Sequence, residues 1–210
     1  MLKLGVLISG RGSNLQAILD AIADGRLAAE VTLVLSNRQK AQGLERAASA
    51  GVPTKVIRHR DHDERETFDA AMVDALTAAG VDWVVLAGFM RIVTPVFLRA
   101  FPCRVINIHP SLLPAFAGVD AQQQALDYGV RVSGCTVHLV DEGVDAGPIV
   151  AQAVVPVLPS DDRDALARRI LEREHDLLVR ALGWIAEGRL AVQPAEAGGR
   201  PRVVVEGAPT

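Results

Sequence analysis

Asn107 and His109 stand two residues apart in VINIHPSLLP (105–114), where a β-branched run breaks into a proline-punctuated loop. On an extended segment these two side chains point to the same side, while Ile108 points into the core. An amide can donate to a developing oxyanion. An imidazole can give or relay a proton near neutral pH. A carboxylate in reach of the ring would stabilise the imidazolium and raise the histidine's pKa. Asp145, in DEGVDAGP (141–148), is the candidate. A lone histidine at a strand end is more often a hydrogen-bonded structural residue, so the trio carries the reading. No serine or cysteine nucleophile and no metal-ligand cluster is evident. The combination suits direct attack by a substrate amine on a carbonyl.

A second chemical feature is SGRGSN (9–14). Its glycines allow a tight turn, and Ser13 with Gln16 has the spacing of a capping box. Backbone N–H groups at such a helix start can hold a phosphate. A dinucleotide fingerprint does not fit: Leu15 fills the sixth position of G-x-G-x-x-G, and the second strand ends in Ser36–Asn37 instead of an acid. A Walker lysine is absent too. The turn therefore reads as a site for one phosphate, against the alternative of a plain strand-to-helix turn.

These residues need a scaffold, and hydrophobic periodicity supplies one. KLGVLI (3–8), EVTLVLS (30–36), TKVI (54–57), DWVVLAG (82–88) and CRVINIH (103–109) read as strands. Residues 14–25, 41–51 and 64–80 read as helices between them, and Pro95 can open a short one. The alternation predicts an α/β fold: a three-layer, mostly parallel twisted sheet with helices on both faces. VSGCTVHLV (132–140) and GPIVAQAVVPV (147–157) lie too close for a crossover and predict a C-terminal mixed or antiparallel extension. Residues 160–188 predict a long amphipathic helix, with Ser160 as cap and three aspartates at its positive end. Two short apolar pieces after Gly188 predict a small ribbon, fraying at its end. The expected organisation is one domain over 1–190 and a ribbon or tail over 191–210. In a parallel sheet the loops after the strands share one edge. That predicts one crevice lined by Gly12, Ser13, Met90, Arg91, Asn107, His109 and Asp145.

Composition sets the outer bounds. Half of the 210 residues are hydrophobic but only 4% are aromatic, so the core must be aliphatic. A net charge of −3 without a basic stripe argues against nucleic acid as a partner. No apolar run is long enough to span a membrane, and no signal peptide is recognisable. Cys103 and Cys135 fit no metal or redox spacing and read as two buried thiols in a reducing cytoplasm. Small-molecule substrates are the expected partners, and the oligomeric state stays open, a homodimer included. His59 and His62 in HRDH read as a solvated loop and not as zinc ligands. On pattern alone, Glu174 and His175 read as surface residues of the long helix.

The segments GVLISGRGSNLQAI, VLSN, GLERAASAG, VVLAGFMRI, VINIHPSLLPAF, GCTVHLV and VDAGPIVAQ together resemble the phosphoribosylglycinamide formyltransferases. The resemblance runs from about residue 3 to about residue 190. HPSLLP alone marks only the wider formyltransferase superfamily, whereas the G-x-G-S-N turn points to this branch. It implies a Rossmann-like formyltransferase fold. The implied reaction is transfer of the formyl group of 10-formyltetrahydrofolate to the amine of phosphoribosylglycinamide, in purine biosynthesis. The folate is a co-substrate, and no metal is implied. Asn107, His109 and Asp145 match the family's catalytic trio. Gly12, Ser13 and Asn14 match its phosphate loop, and Glu174 a residue that reaches the glycinamide, which reverses the surface reading. Arg65, Met90, Arg91, Ile92 and Val93, with Asn107, match the folate side.

The sequence departs from the family after SLLPAF. There the family has proline–glycine and a histidine two residues past the glycine, but this chain has Ala117, Gly118, Val119 and Asp120. An acid there should point to solvent or to an arginine. Two rivals share the superfamily loop. A formyltetrahydrofolate deformylase would carry an extra N-terminal domain, and this chain starts at its first strand. A methionyl-tRNA formyltransferase would need a tRNA-binding domain and more basic surface, and only about 20 residues follow the long helix. A non-catalytic nucleotide-binding module would need no proton-transfer trio.

Overall fold

Aliphatic runs make the strands, and amphipathic segments between them make the helices. The computed structural model describes residues 1–195 and 199–207. The chain divides into two units, Met1–Asn107 and Ile108–Thr210. The first carries β1 (Leu2–Ile8), α1 (Ser13–Ala23), β2 (Ala29–Ser36), α2 (Gly43–Ser49) and β3 (Thr54–Val56). It continues through α3 (Arg65–Ala78), β4 (Trp83–Leu86) and α4 (Pro95–Ala100) into β5 (Val105–His109). The registered pairs β1–β2, β2–β3, β1–β4 and β4–β5 are all parallel. From β1 the chain winds out through β2 to β3, then returns to place β4 on the other side of β1. The winding reverses between β1 and β4, the place where open α/β sheets bind ligands. Gly5 in β1 allows close packing: a Cβ there would lie 2.5 Å from Leu76 Cδ2 on α3, so that side chain would have to shift.

The second unit carries α5 (Ala121–Tyr128), β6 (Val132–Leu139), β7 (Ile149–Pro156), α6 (Arg163–Ala186), β8 (Leu190–Gln193) and β9 (Arg202–Val205). β6 and β7 pair antiparallel, as the short connection requires. β8 and β9 form the expected ribbon. On α6 the buried residues Leu166, Ile170, Glu174, Leu177, Leu178, Ala181, Leu182 and Ile185 form one stripe at helical spacing. Each buried leucine of that stripe contributes roughly 1.5–3 kcal/mol. The expected fold class holds: a seven-stranded, mostly parallel sheet in the order β3-β2-β1-β4-β5-β6-β7, with helices.

Several local expectations are corrected. Ser13 does not cap α1. Gly12 is the N-cap, in the left-handed region at φ 71°, and no side chain closes the cap. Gln16 bonds Asp20 and Arg46 instead. Ser160 does not cap α6, because Asp162 accepts from the Ala165 N–H and starts the helix there. The neighbouring Asp161 takes the Leu158 N–H and a two-pronged contact from Arg169 at 2.7 and 2.8 Å. Arg169 first, then that N–H, pulls the Asp161 carboxyl down to about 2. Helix α5 was not foreseen. Cys103 is exposed, not buried, and both thiols are free. The fraying expected at the chain's end falls on residues 208–210, outside the described residues.

Candidate active site

Strand β5 carries the Asn–Ile–His triplet at its end. Asn107 is half-buried in register with Leu86 of β4, and Ile108 and His109 are buried. His109 Nδ1 lies 3.3 Å from Asp145 Oδ2, with the two side chains only 6% and 13% exposed. At that burial the pair is poorly screened by water, unlike a surface ion pair. A second imidazole joins them: His138 Nε2, from β6, lies 3.6 Å from Asp145 Oδ1, while its Nδ1 lies 2.9 Å from the Leu139 carbonyl. Gly118 N–H also donates to Asp145 Oδ2, at 2.8 Å. Burial alone would push the Asp145 carboxyl up. The His138 hydrogen bond, the Gly118 N–H and the charge of His109 outweigh it and hold the carboxyl below the usual carboxylate range. Asp145 sits at φ 49°. One ionised carboxylate therefore orients two rings.

The segment after β5 is held by polar side chains, buried Thr136 and exposed Gln152. Thr136 Oγ1 donates to the Ser111 carbonyl at 2.7 Å and accepts the Leu113 N–H at 3.0 Å. Gln152 Nε2 donates to the Leu113 carbonyl at 2.9 Å. The Leu113–Pro114 peptide is cis. His109 Nε2 meets the Phe116 carbonyl at 2.9 Å, so the same loop caps the ring. At the loop's end Asp120 accepts from Arg163 Nε at 2.6 Å, the arginine partner expected for the departing acid.

In the first unit the loops after β1, β2 and β4 are tied together. Ser9 Oγ donates to Asn37 Oδ1 at 2.7 Å and accepts the Met90 N–H at 2.8 Å, and the Ser9 N–H bonds the Gly88 carbonyl. Gly12, buried with Asn14, opens α1, and Ser13 is half-buried. A Cβ on Gly12 would lie 2.6 Å from Gly43 Cα, so this turn is locked by close backbone packing against α2. Met90 and Ile92 are 65% and 53% exposed, Arg91 is half-buried and Val93 is buried. Arg65 Nη2 donates to the Ile92 carbonyl at 2.8 Å, joining two positions matched to the folate side. His59 and His62 are half-buried around Phe68, and no metal-binding group occurs among the described residues.

Glu174 is 7% exposed, which overturns the pattern-based surface reading. The signal was present in the sequence: Glu174 lies four residues from both Ile170 and Leu178, on the apolar stripe. Burial first, and then the Glu174 charge, push the Cys135 thiol up to about 12, so it is no nucleophile. His138 was missed because every residue of β6 after the first is buried, which erases the alternation that would mark it.

Comparison with known proteins shows which family the chain resembles. The family model described as "Formyl transferase" matches residues 2–182. Phosphoribosylglycinamide formyltransferase of Haemophilus influenzae is 42% identical over 193 residues, covering 92% of this chain and 91% of that protein. The trifunctional purine biosynthetic protein adenosine-3 of Drosophila melanogaster is 50% identical over 194 residues, and the chain spans 14% of its length. The crystal structure of glycinamide ribonucleotide transformylase 1 from Symbiobacterium toebii superposes with a TM-score of 0.93 at 52% identity, covering 98% of this chain and 94% of that one. By the family model and by relatives matched over nine-tenths of their length, the chain belongs to the formyl transferase family, among its phosphoribosylglycinamide formyltransferases.

Proposed function

We propose that the chain transfers the formyl group of 10-formyltetrahydrofolate to the amine of phosphoribosylglycinamide, giving formylglycinamide ribonucleotide and tetrahydrofolate. The observation that carries this is the His109–Asp145 pair, 3.3 Å apart and largely shielded from solvent, with His109 two residues after Asn107. The substrate amine attacks the formyl carbon, and the new C–N bond forms as the carbonyl oxygen takes on charge. Asn107 donates its amide N–H to that oxygen. Collapse breaks the bond to the folate nitrogen, which takes a proton from the His109 imidazolium. The proton lost by the attacking amine returns to His109 through water. Asp145 stays ionised throughout and stabilises the imidazolium. Gly12, Ser13 and Asn14 take the phosphate, and Glu174 the glycinamide. Arg65, Met90, Arg91, Ile92 and Val93, with Asn107, take the folate.

A cytoplasmic location goes with this function, supported by two free thiols. No described helix is long and apolar enough to cross a membrane. Hydrolysis of the formyl donor is the weaker alternative, because water would replace the amine and the matched relatives are named transferases. The test follows cofactor absorbance during incubation with 10-formyl-5,8-dideazafolate, with and without phosphoribosylglycinamide. Transfer requires that the absorbance change depend on the amine. The same change without the amine means a hydrolase, and no change under either condition sinks both readings.

A further inference from the structure

Two helices of the first unit brace the two segments that this function assigns to different substrates. On the phosphate side, Gly43 N–H donates to the Gly10 carbonyl at 3.1 Å. Arg46 Nε donates to the Arg11 carbonyl at 2.9 Å, and its Nη1 to Gln16 Oε1 at 3.1 Å. Both carbonyls are drawn to α2, where they cannot oppose an anion at the start of α1. On the folate side, Asp69 Oδ2 accepts the Thr94 N–H at 2.5 Å. Asp69 is 2% exposed on α3, one helical turn after Arg65. A carboxyl buried so deeply is costly unless a hydrogen bond compensates it. Burial pushes its pKa up, and the Thr94 N–H works against that shift. Met90 is pinned by Ser9, Ile92 by Arg65 and Thr94 by Asp69. The segment is thus fixed at three backbone points while Met90 and Ile92 stay exposed.

We infer that Arg46 and Asp69 are positioning residues serving one substrate each: Arg46 sets the turn that receives the phosphate, and Asp69 sets the segment that receives the folate. This rests on the proposed function for which ligand goes where. Neither side chain touches a reacting atom, so the signature is a split between two binding constants and not a general loss of activity. The full chain is measured by isothermal titration calorimetry with phosphoribosylglycinamide and, separately, with 10-formyl-5,8-dideazafolate, and by steady-state kinetics with each varied. Arg46→Ala should weaken phosphoribosylglycinamide about tenfold and leave the folate analogue within about twofold. Asp69→Ala should do the reverse. Asp69→Asn keeps a carbonyl acceptor for Thr94 N–H and should restore folate affinity to within about threefold. Asp69→Ser is too short to reach that N–H and gives the same reading if the alanine variant does not fold. Equal weakening of both ligands, or an unchanged folate constant in Asp69→Ala, overturns the assignment. Wild-type chain that binds both ligands but transfers no formyl group sinks the proposed function alone, and the binding pattern still decides the positioning roles. Wild-type chain that binds neither ligand sinks both.

Discussion

The turn at residues 10–13 and the loop at 111–120 are built from different materials. The turn is held mostly by backbone: Gly12 at φ 71°, the close approach to Gly43, and N–H to carbonyl bonds, with a side-chain tie from Arg46 to the Arg11 carbonyl. The loop is held by side chains, namely Thr136, Gln152, Arg163, Asp145 and His109. A phosphate monoester has a fixed shape and is anionic at any working pH, so backbone can cradle it, and the cradle itself holds no group that titrates. Proton transfer needs groups that titrate. The loop uses those same groups as its fasteners: Asp145 takes the Gly118 N–H, and His109 meets the Phe116 carbonyl. Its order is therefore coupled to the ionisation of Asp145.

The most severe test of this contrast is Asp145→Asn. It keeps the size of the side chain but removes the charge, and should lower kcat by roughly 100-fold or more. Amide exchange should rise at Gly118 and stay unchanged at residues 10–13. Near-wild-type turnover would remove Asp145 from the mechanism. Next is Gly12→Val, which puts a side chain into a left-handed position facing backbone 2.6 Å away. Stability should fall by about 1–3 kcal/mol, read as a lower urea midpoint, together with weaker binding of phosphoribosylglycinamide. A stable Gly12→Val variant would mean that the turn is not locked as described.

A smaller effect is expected from pH. The Asp145 carboxyl is held below its usual range in the folded chain. Its contribution to stability is therefore complete above the unfolded carboxylate pKa of about 4 and is lost as pH falls through the folded value. Exchange at Gly118 should accelerate in that window while the 10–13 turn shows no matching step. The smallest effect belongs to Asp120→Ala. Its bond to Arg163 joins two half-exposed side chains, so kcat/KM should change by less than about tenfold. A loss as large as that of the Asp145 variant would give Asp120 a chemical role.

Much of this was legible in the sequence, and the failures share a cause. Strand and helix order followed from aliphatic periodicity, and Asn107 and His109 from their spacing at a strand end. The Ser13–Gln16 box misled because a glycine able to adopt positive φ stands one residue earlier and starts the helix itself. Helix α5 escaped because AQQQALDY buries only Ala121 and Ala125, too little for an apolar period. The partnerships of Ser9 with Met90, Arg46 with Arg11 and Asp69 with Thr94 span 81, 35 and 25 residues. Only folding brings such pairs together, and no spacing rule announces them.

The Phe116 carbonyl has a kinetic meaning. Both nitrogens of His109 face oxygen acceptors, one on Asp145 and one on the chain itself. In the proposed transfer, a backbone oxygen already occupies the position from which the ring hands a proton to a ligand. Substrate therefore does not arrive at a vacant acid. It competes with an internal tenant, and the ring must exchange acceptors before it can act. An exchange of that kind moves a loop through solvent, so turnover would carry a dependence on viscosity that chemistry alone would not impose.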